Sequence, residues 1–562
     1  VIRHWLTGDG KAQRFKTMLA PLAAGGITGI LVITLPILMT VLLAGASNRP
    51  SIDLEGAGRG SLHPAHLLTA LAPDVFGSSG VMGEYWGPPS GRWGDTGLYL
   101  AQNMGQLYIG ALPMLALIWG AASGALWERR TRLYTAALIV AMIYALGWYT
   151  PVFRWFHALV PGVDLYRRPA DAVFLIGFLA SVLASFTLDR YLASGKPWTV
   201  VRATVTLSCL VLPFAVMTGL ALHYGKFDAA WPHIAIPAAL FAAAAALLTA
   251  AGAAPPQWQA ALFAALAVFT IGDLAYSNGP GGATALPPDL YDVLDPNTHN
   301  ETIALLKTRS EATKSDTRRD RAEIVGFGFH WPNASETHKL ENTLGYNPVR
   351  LSLTTRALGA GDTVGLASQK GFSPLFPSYR STLADLLGLA TIATSIPIEE
   401  IDKALKPGDL TLVAKTADGY VYDNPRAKPR VLFAANAQSA DFEKLLDTGA
   451  WPEFDVTATV LLEGQAEGNH AAALRPAGRT RIVSYRNTEV VLETDSPEGG
   501  FAVLNDVWHP WWFATVDGAA TAMLRANVLF RAVEVGPGKH TVRLTFEPVK
   551  GALKEIGLIG PK

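Results

Sequence analysis

Seven apolar runs dominate the first half of the chain, near 19–44, 106–126, 133–150, 171–189, 203–222, 233–253 and 258–276. Each approaches the 17–25 residues that a helix needs to cross a bilayer. The pattern predicts seven transmembrane helices. The nearly all-alanine run Ala238 to Ala246 suits close packing on neighbouring helices through small side chains. After the first run, Leu42 to Ser47 ("LLAGAS") has the small residues of a signal-peptide cleavage site. The run before it is about twice the usual 7–15-residue signal core, and further spans follow, so it reads as an anchor.

After Tyr276 the pattern changes. A Pro/Gly-rich linker, "SNGPGGATALPPD", leads into mixed helix and strand sequence over 277–452. From 453 to 562 two-residue alternation takes over, broken by Gly, Pro, Asp and Asn, as in "TRIVSYRNTEVVLETDS" and "FRAVEVGPGKHTVRLTFEP". Such segments predict an antiparallel β-sandwich, and Asp517-Gly518 marks a hairpin turn. The expected architecture is a polytopic α-helical membrane domain over 1–276, then an extracytoplasmic α/β region and a β-sandwich-like domain.

Orientation follows from the basic residues of short loops. Arg3, Lys11, Arg14 and Lys16 flank the first span; Arg129, Arg130 and Arg132 come two spans later; Arg190, Lys196 and Arg202 come two further on. All three sets fall on one side, the cytoplasm. An odd number of spans then puts the polar half outside. Two external loops result, 45–105 and 150–171. The first contains "SLHPAHLLTALAPDVFG" (61–77), which reads as a short amphipathic helix at the membrane interface. The second mixes apolar and cationic residues and reads as partly re-entrant.

Charge sharpens this division. The chain of 562 residues has 46 basic and 46 acidic side chains, with 16% charged and 50% hydrophobic residues. Residues 1–276 hold 17 basic and 12 acidic side chains, and residues 277–562 hold 29 and 34. A disordered chain and a nucleic-acid binder relying on net charge are both excluded. The single cysteine, Cys209, builds neither a disulfide nor a cysteine metal site.

The candidate chemistry lies in the external loops. Arg154, Arg167 and Arg168 sit on the side where the basic bias leaves few cations, and their planar forks suit a phosphate or pyrophosphate headgroup. Pairing with Asp164 and Asp171 of the same loop is the competing explanation. Asp74, Glu84 and Asp95, with Asp53 and Glu55, occupy the first loop, where one carboxylate would deprotonate an acceptor hydroxyl as general base; the rest would be solvated or capping groups. His63 and His66 stand three apart, the spacing of two ligands on one helix face, but no third ligand follows. No motif demands a cofactor, and a divalent metal stays open. The glycines at 56–60 and 359–362 lack the strand-and-helix context of a phosphate loop and read as turns. Trp508, Trp511 and Trp512, in "WHPWWF", offer a sugar-stacking platform or, by alternation, core residues of the sandwich.

The C-terminal string "LNDVWHPWWFATVDGAATAMLRANVLFRAVEVGPGKHTVRLTFEP" (504–548) resembles the end of the YfhO family of bacterial membrane proteins. The likeness rests on Pro510/Trp511, Val516/Asp517/Gly518, Ala526/Asn527, Arg531/Ala532/Val533, Gly538/His540 and Phe546/Pro548. "GYNP" (345–348), "LADLLGLATIAT" (383–394), "YDNP" (422–425), "YRRPAD" (166–171) and "HPAHLLTALAPDVFG" look like further landmarks of that family. The resemblance implies a GT-C type glycosyltransferase. Such an enzyme moves a sugar from a polyprenyl-phosphate carrier to a cell-envelope glycan or lipid acceptor outside the membrane, with an acidic loop residue as base and cations on the leaving phosphate. On this reading Arg154, Arg167 and Arg168 hold the lipid-linked donor, and Asp74, Glu84 or Asp95 assists at the acceptor. The partners implied are lipids and glycans, with no nucleic acid. Because the chain opens at Val1 and its start is similar to the middle of a family member, a fragment lacking earlier spans, and inactive alone, is also expected. A non-enzymatic carbohydrate-binding or envelope assembly factor remains the alternative; a transporter ranks below both, since Asp273 is nearly alone among ionisable groups in the spans.

Overall fold

The computed structural model describes residues 11–48, 51–77, 85–98, 102–194, 198–279, 288–328, 330–347, 349–359, 365–464, 476 and 478–560. Glu84, Arg3, Lys196, most of the linker and the glycine cluster from 360 onward lie outside the described residues.

Among the described residues, five helices are long and apolar enough to cross a membrane: Leu19–Ala46, Pro169–Leu192, Val200–His223, Phe227–Ala253 and Gln257–Ser277. At 1.5 Å per residue each reaches the roughly 30 Å of a hydrocarbon core. Their outward side chains are those that lipid tolerates. Leu31, Phe174, Val200 and Val268 are 70%, 84%, 84% and 69% exposed, an arrangement costly in water. The first half is therefore a multi-pass helical membrane domain, followed by a β-rich half.

The expected number of seven spans is corrected to five. The runs at 106–126 and 133–150 form helices of only 13 and 14 residues, Ala111–Ser123 and Arg132–Ala145. The reason is local. Gly110 and Gly124 have φ of +103° and +80° and bracket the first of them, and Gly147, at +52°, turns the chain beyond the second. Hydropathy counts side chains and does not register where the backbone turns. Both helices pack against Pro169–Leu192, with Gly120 on Thr187. Glu128, in the connection between the two helices, pairs with Arg190 at 3.0 Å.

Asp273, the acid within the last span, is buried and fully engaged. It accepts hydrogen bonds from the Tyr108 hydroxyl (2.8 Å), the Ala111 amide (2.7 Å) and the Ser277 hydroxyl (3.1 Å). It thereby caps the exposed amides of helix Ala111–Ser123 from a neighbouring helix. The first loop also differs from expectation. Residues 61–77 form a 3₁₀ helix, Pro64–Ala70, and a turn, and Leu71, Ala72, Val75 and Phe76 pack into the core with Leu112, Leu115 and Trp119.

Among the described residues the polar half has three sheets. A four-stranded sheet runs in the order Arg321–Val325, Leu389–Thr394, Tyr420–Asp423, Thr411–Lys415, its first pair parallel. A six-stranded sheet is ordered Val431–Ala434, Gly500–Leu504, Phe530–Val535, Leu524–Ala526, Thr459–Glu463, Asn436–Ala440. A five-stranded sheet is ordered Ala519–Thr521, Trp512–Val516, Gly538–Phe546, Glu489–Ser496, Arg479–Arg486. Phe433, Ala502 and Val533 of the six-stranded sheet share one core with Leu492, Val542 and Leu544 of the five-stranded one, as alternation predicts for facing sheets. Asp517 and Gly518, at φ +52° and +85°, make the tight turn between Trp512–Val516 and Ala519–Thr521.

Candidate functional site

In the membrane half, helices Arg132–Ala145 and Val173–Leu192 run side by side, and helix Phe153–Leu159 packs on the end of the first. The Tyr144 ring meets Phe153 and Phe156 at 5.9 and 5.6 Å. These elements enclose an open groove of about 490 Å³. Ala137, Val140, Ala141, Leu175 and Leu179 form its apolar length, and Tyr144, Tyr166, Arg168 and Asp171 gather at one end. An apolar trough with a cation and hydroxyls at its mouth is chemically matched to an amphiphile with an anionic head.

Arg168 is half-exposed. Its Nε lies 3.4 Å from Asp171 Oδ2 and its Nη1 donates to the Met104 sulfur at 3.5 Å. The pairing with Asp171 considered from the sequence is thus present, but at this exposure it is weak, and guanidinium donors remain for a ligand. Of the three arginines only Arg168 lines the groove. Arg154 is exposed and stands 5.9 Å from the Trp155 ring centroid; Arg167 is partly buried.

The loop carrying Arg167 and Arg168 is held by the segment 52–61. The Ile52 amide donates to the Asp164 carbonyl (2.8 Å), the Ala170 amide to the Gly60 carbonyl (3.0 Å), and the Trp148 amide to the Ser61 hydroxyl (3.1 Å). His157 Nε2 meets the Ile52 carbonyl at 2.9 Å. Gly60 has to be glycine for a steric reason: a Cβ there would stand 2.2 Å from the Arg167 carbonyl and 2.6 Å from Arg168 Cα. Gly60→Ala is expected to cost about 1–3 kcal/mol by overpacking, and to lower retention of a lipid phosphate more than Gly91→Ala. The latter Cβ meets nothing within 4 Å. Thermal unfolding and lipid co-purification of the two variants check this, and equal behaviour rejects it.

The predicted carboxylates do not converge on the groove. Asp95 is exposed, and its Oδ1 accepts from the Gly97 amide at 2.9 Å, an Asx turn. Asp53 caps helix Leu54–Gly58 through the Gly56 amide (2.8 Å), and Glu55 pairs with Arg59 (2.6 Å). Asp74 is half-buried in the turn after the 3₁₀ helix. What sequence reasoning missed is the groove itself, whose tyrosines carry no motif.

His63 and His66 act as supports. His63 Nδ1 accepts from the Ala65 amide at 3.1 Å, and His66 Nε2 contacts the Tyr85 hydroxyl at 2.8 Å. Tyr85 in turn donates to the Pro88 carbonyl at 3.0 Å, so His66 Nε2 carries the proton and donates to Tyr85. Burial lowers both imidazoles, His66 to about 4. Among the described residues no three His, Cys, Asp or Glu side chains gather as a metal site.

In the polar half the tryptophans part company. Trp511 is buried and donates its Nε1–H to Glu555 at 2.8 Å, whereas Trp508 and Trp512 line a cleft of about 700 Å³.

No family model, curated protein or solved structure matches the chain.

Proposed function

We propose that the chain is a membrane glycosyltransferase of the GT-C type, taking a sugar from a polyprenyl-phosphate donor and passing it to an extracytoplasmic envelope acceptor. The observation that carries this reading is the apolar groove ending in Arg168 and two tyrosines. An isoprenoid tail suits the trough between Val140 and Leu175, and its phosphate suits the Arg168 fork. In the reaction the bond from the sugar's anomeric carbon to the phosphate oxygen breaks and the phosphate leaves with the electron pair. The acceptor hydroxyl forms the new bond and its proton passes to a loop carboxylate, for which Asp74, Glu84 and Asp95 are the candidates.

The likeness to the YfhO family supports the same reading, as does topology. Five spans are odd in number, so a cytoplasmic N-terminus puts the β-rich half outside, on the inner membrane of a bacterium. Arg190, paired with Glu128, marks the basic end of its helix. The groove mouth, at the opposite end of that helix, then faces outward.

A second reading, a non-enzymatic carbohydrate-binding or assembly factor, is favoured by one observation: neither Asp74 nor Asp95 lines the groove. Sugar transfer by the full chain in nanodiscs, from a labelled polyprenyl-phosphate hexose, separates the two. Arg168→Ala is expected to lower transfer and polyprenyl-phosphate binding at least tenfold, about the value of one charge-assisted contact, while neutral polyprenol binding stays unchanged. Arg154→Ala is expected to do little. Undiminished phosphate binding by Arg168→Ala rejects the site; binding without transfer favours the second reading.

A further inference from the structure

We propose that the cleft lined by Trp508 and Trp512 in the β-rich half is an oligosaccharide-binding site. Its volume of about 700 Å³ falls within the roughly 300–1,000 Å³ of small-molecule sites. Its walls combine what a sugar ring presents: flat C–H-rich faces and a rim of hydroxyls. Trp512 and Phe513 supply aromatic surface, both only partly buried. Trp512 is fixed in place, since the Arg531 guanidinium lies 4.0 Å from its ring centroid and Phe546 meets it at 5.5 Å.

The polar groups at the edge are fixed as well. The Glu555 carboxylate is tethered by the Trp511 indole N–H and keeps a second oxygen as acceptor. His509 Nδ1 accepts from the Trp511 amide at 3.2 Å, so its Nε2 bears the proton and donates. Lys554 stands 5.9 Å from the Phe513 ring and makes no ion pair among the described residues. An acyl chain or apolar peptide in the same cleft would cover Lys554, Glu555 and His509 without satisfying them. The polar rim therefore favours a carbohydrate. Trp511, which spacing alone places in the same platform, belongs to the core.

The test uses the full chain in nanodiscs on an array of bacterial-envelope oligosaccharides, with affinities then measured by tryptophan fluorescence. At least one oligosaccharide is expected to bind, and Trp512→Ala is expected to weaken it tenfold or more. Ala522→Trp, which fills the cleft from an exposed wall position while keeping every aromatic and charged group, is expected to do the same and decides the matter if the first variant misfolds. Arg168→Ala is expected to bind the sugar as the wild type does, which separates this cleft from the lipid-phosphate groove. No retained oligosaccharide, or equal binding by wild type and Ala522→Trp, overturns the assignment.

Discussion

Replacing Glu323 by alanine is expected to destabilise the polar half by about 3–5 kcal/mol, the cost of removing one partner from a buried ion pair. Glu323 and Lys370 both have fully buried side chains, and Lys370 Nζ lies 3.0 Å from Glu323 Oε1. The Tyr379 hydroxyl donates to the same oxygen at 2.7 Å, and the Thr343 hydroxyl donates to the other. The ammonium also faces the rings of Phe372, Phe376 and Tyr379 at 4.9, 4.8 and 5.3 Å. Those ring faces attract a cation, but they do not replace a carboxylate in a site closed to water. With Glu323 gone, Lys370 is left charged and uncompensated. The double variant Glu323→Gln/Lys370→Met keeps an acceptor for Tyr379 and removes both charges, so it is expected to regain most of the loss. Unfolding midpoints of the full chain by urea check this. A Glu323→Ala midpoint equal to wild type, or a double variant worse than the single, rejects the account.

That pair shows where sequence reading ends. Glu323 and Lys370 are far apart along the chain and belong to no motif; only the fold brings them together. The same holds for the groove at Arg168. The sequence singles out the loop's cations, of which only Arg168 lines the groove. The apolar trough below them exists only once Arg132–Ala145 pairs with Val173–Leu192. Patterns with short periods fared better: the strands from 479 onward and the turn at Asp517-Gly518 depend on neighbours in sequence. Counting apolar residues overstated the spans, because positive φ at Gly110 and Gly124 ends a helix that composition alone would continue. Position in a loop likewise does not reveal that the Asp95 side chain accepts from the Gly97 amide.

Asp506→Asn is expected to be at least as damaging as Glu323→Ala, and its effect should depend on pH in a defined direction. Asp506 is shared by three arginines, Arg430 and Arg531 buried and Arg321 largely so: Arg321 at 2.7 Å, Arg430 at 2.9 Å and Arg531 at 3.3 Å. The Tyr485 hydroxyl donates to it at 2.6 Å. Arg430 has a further partner in Glu341 at 2.6 Å. Removing the Asp506 charge therefore leaves three guanidiniums facing one another with Glu341 as the closest remaining acid in the network. Burial pushes the Asp506 carboxyl up, but Arg430, Arg321, Arg531 and the Tyr485 hydroxyl outweigh it and hold the group at about 2. The folded value is below the ordinary 3.8, so folding favours the ionised form. The resulting stabilisation is complete above about pH 4 and is lost as pH falls towards 2, in total on the order of 2 kcal/mol. The stability gap between wild type and Asp506→Asn should thus be widest at neutral pH and narrow between pH 4 and pH 2. Urea unfolding of both proteins across that window measures the gap. Because other acids titrate in both proteins alike, the difference isolates Asp506, and a gap that stays constant down to pH 2 would show that the arginines do not depend on its charge.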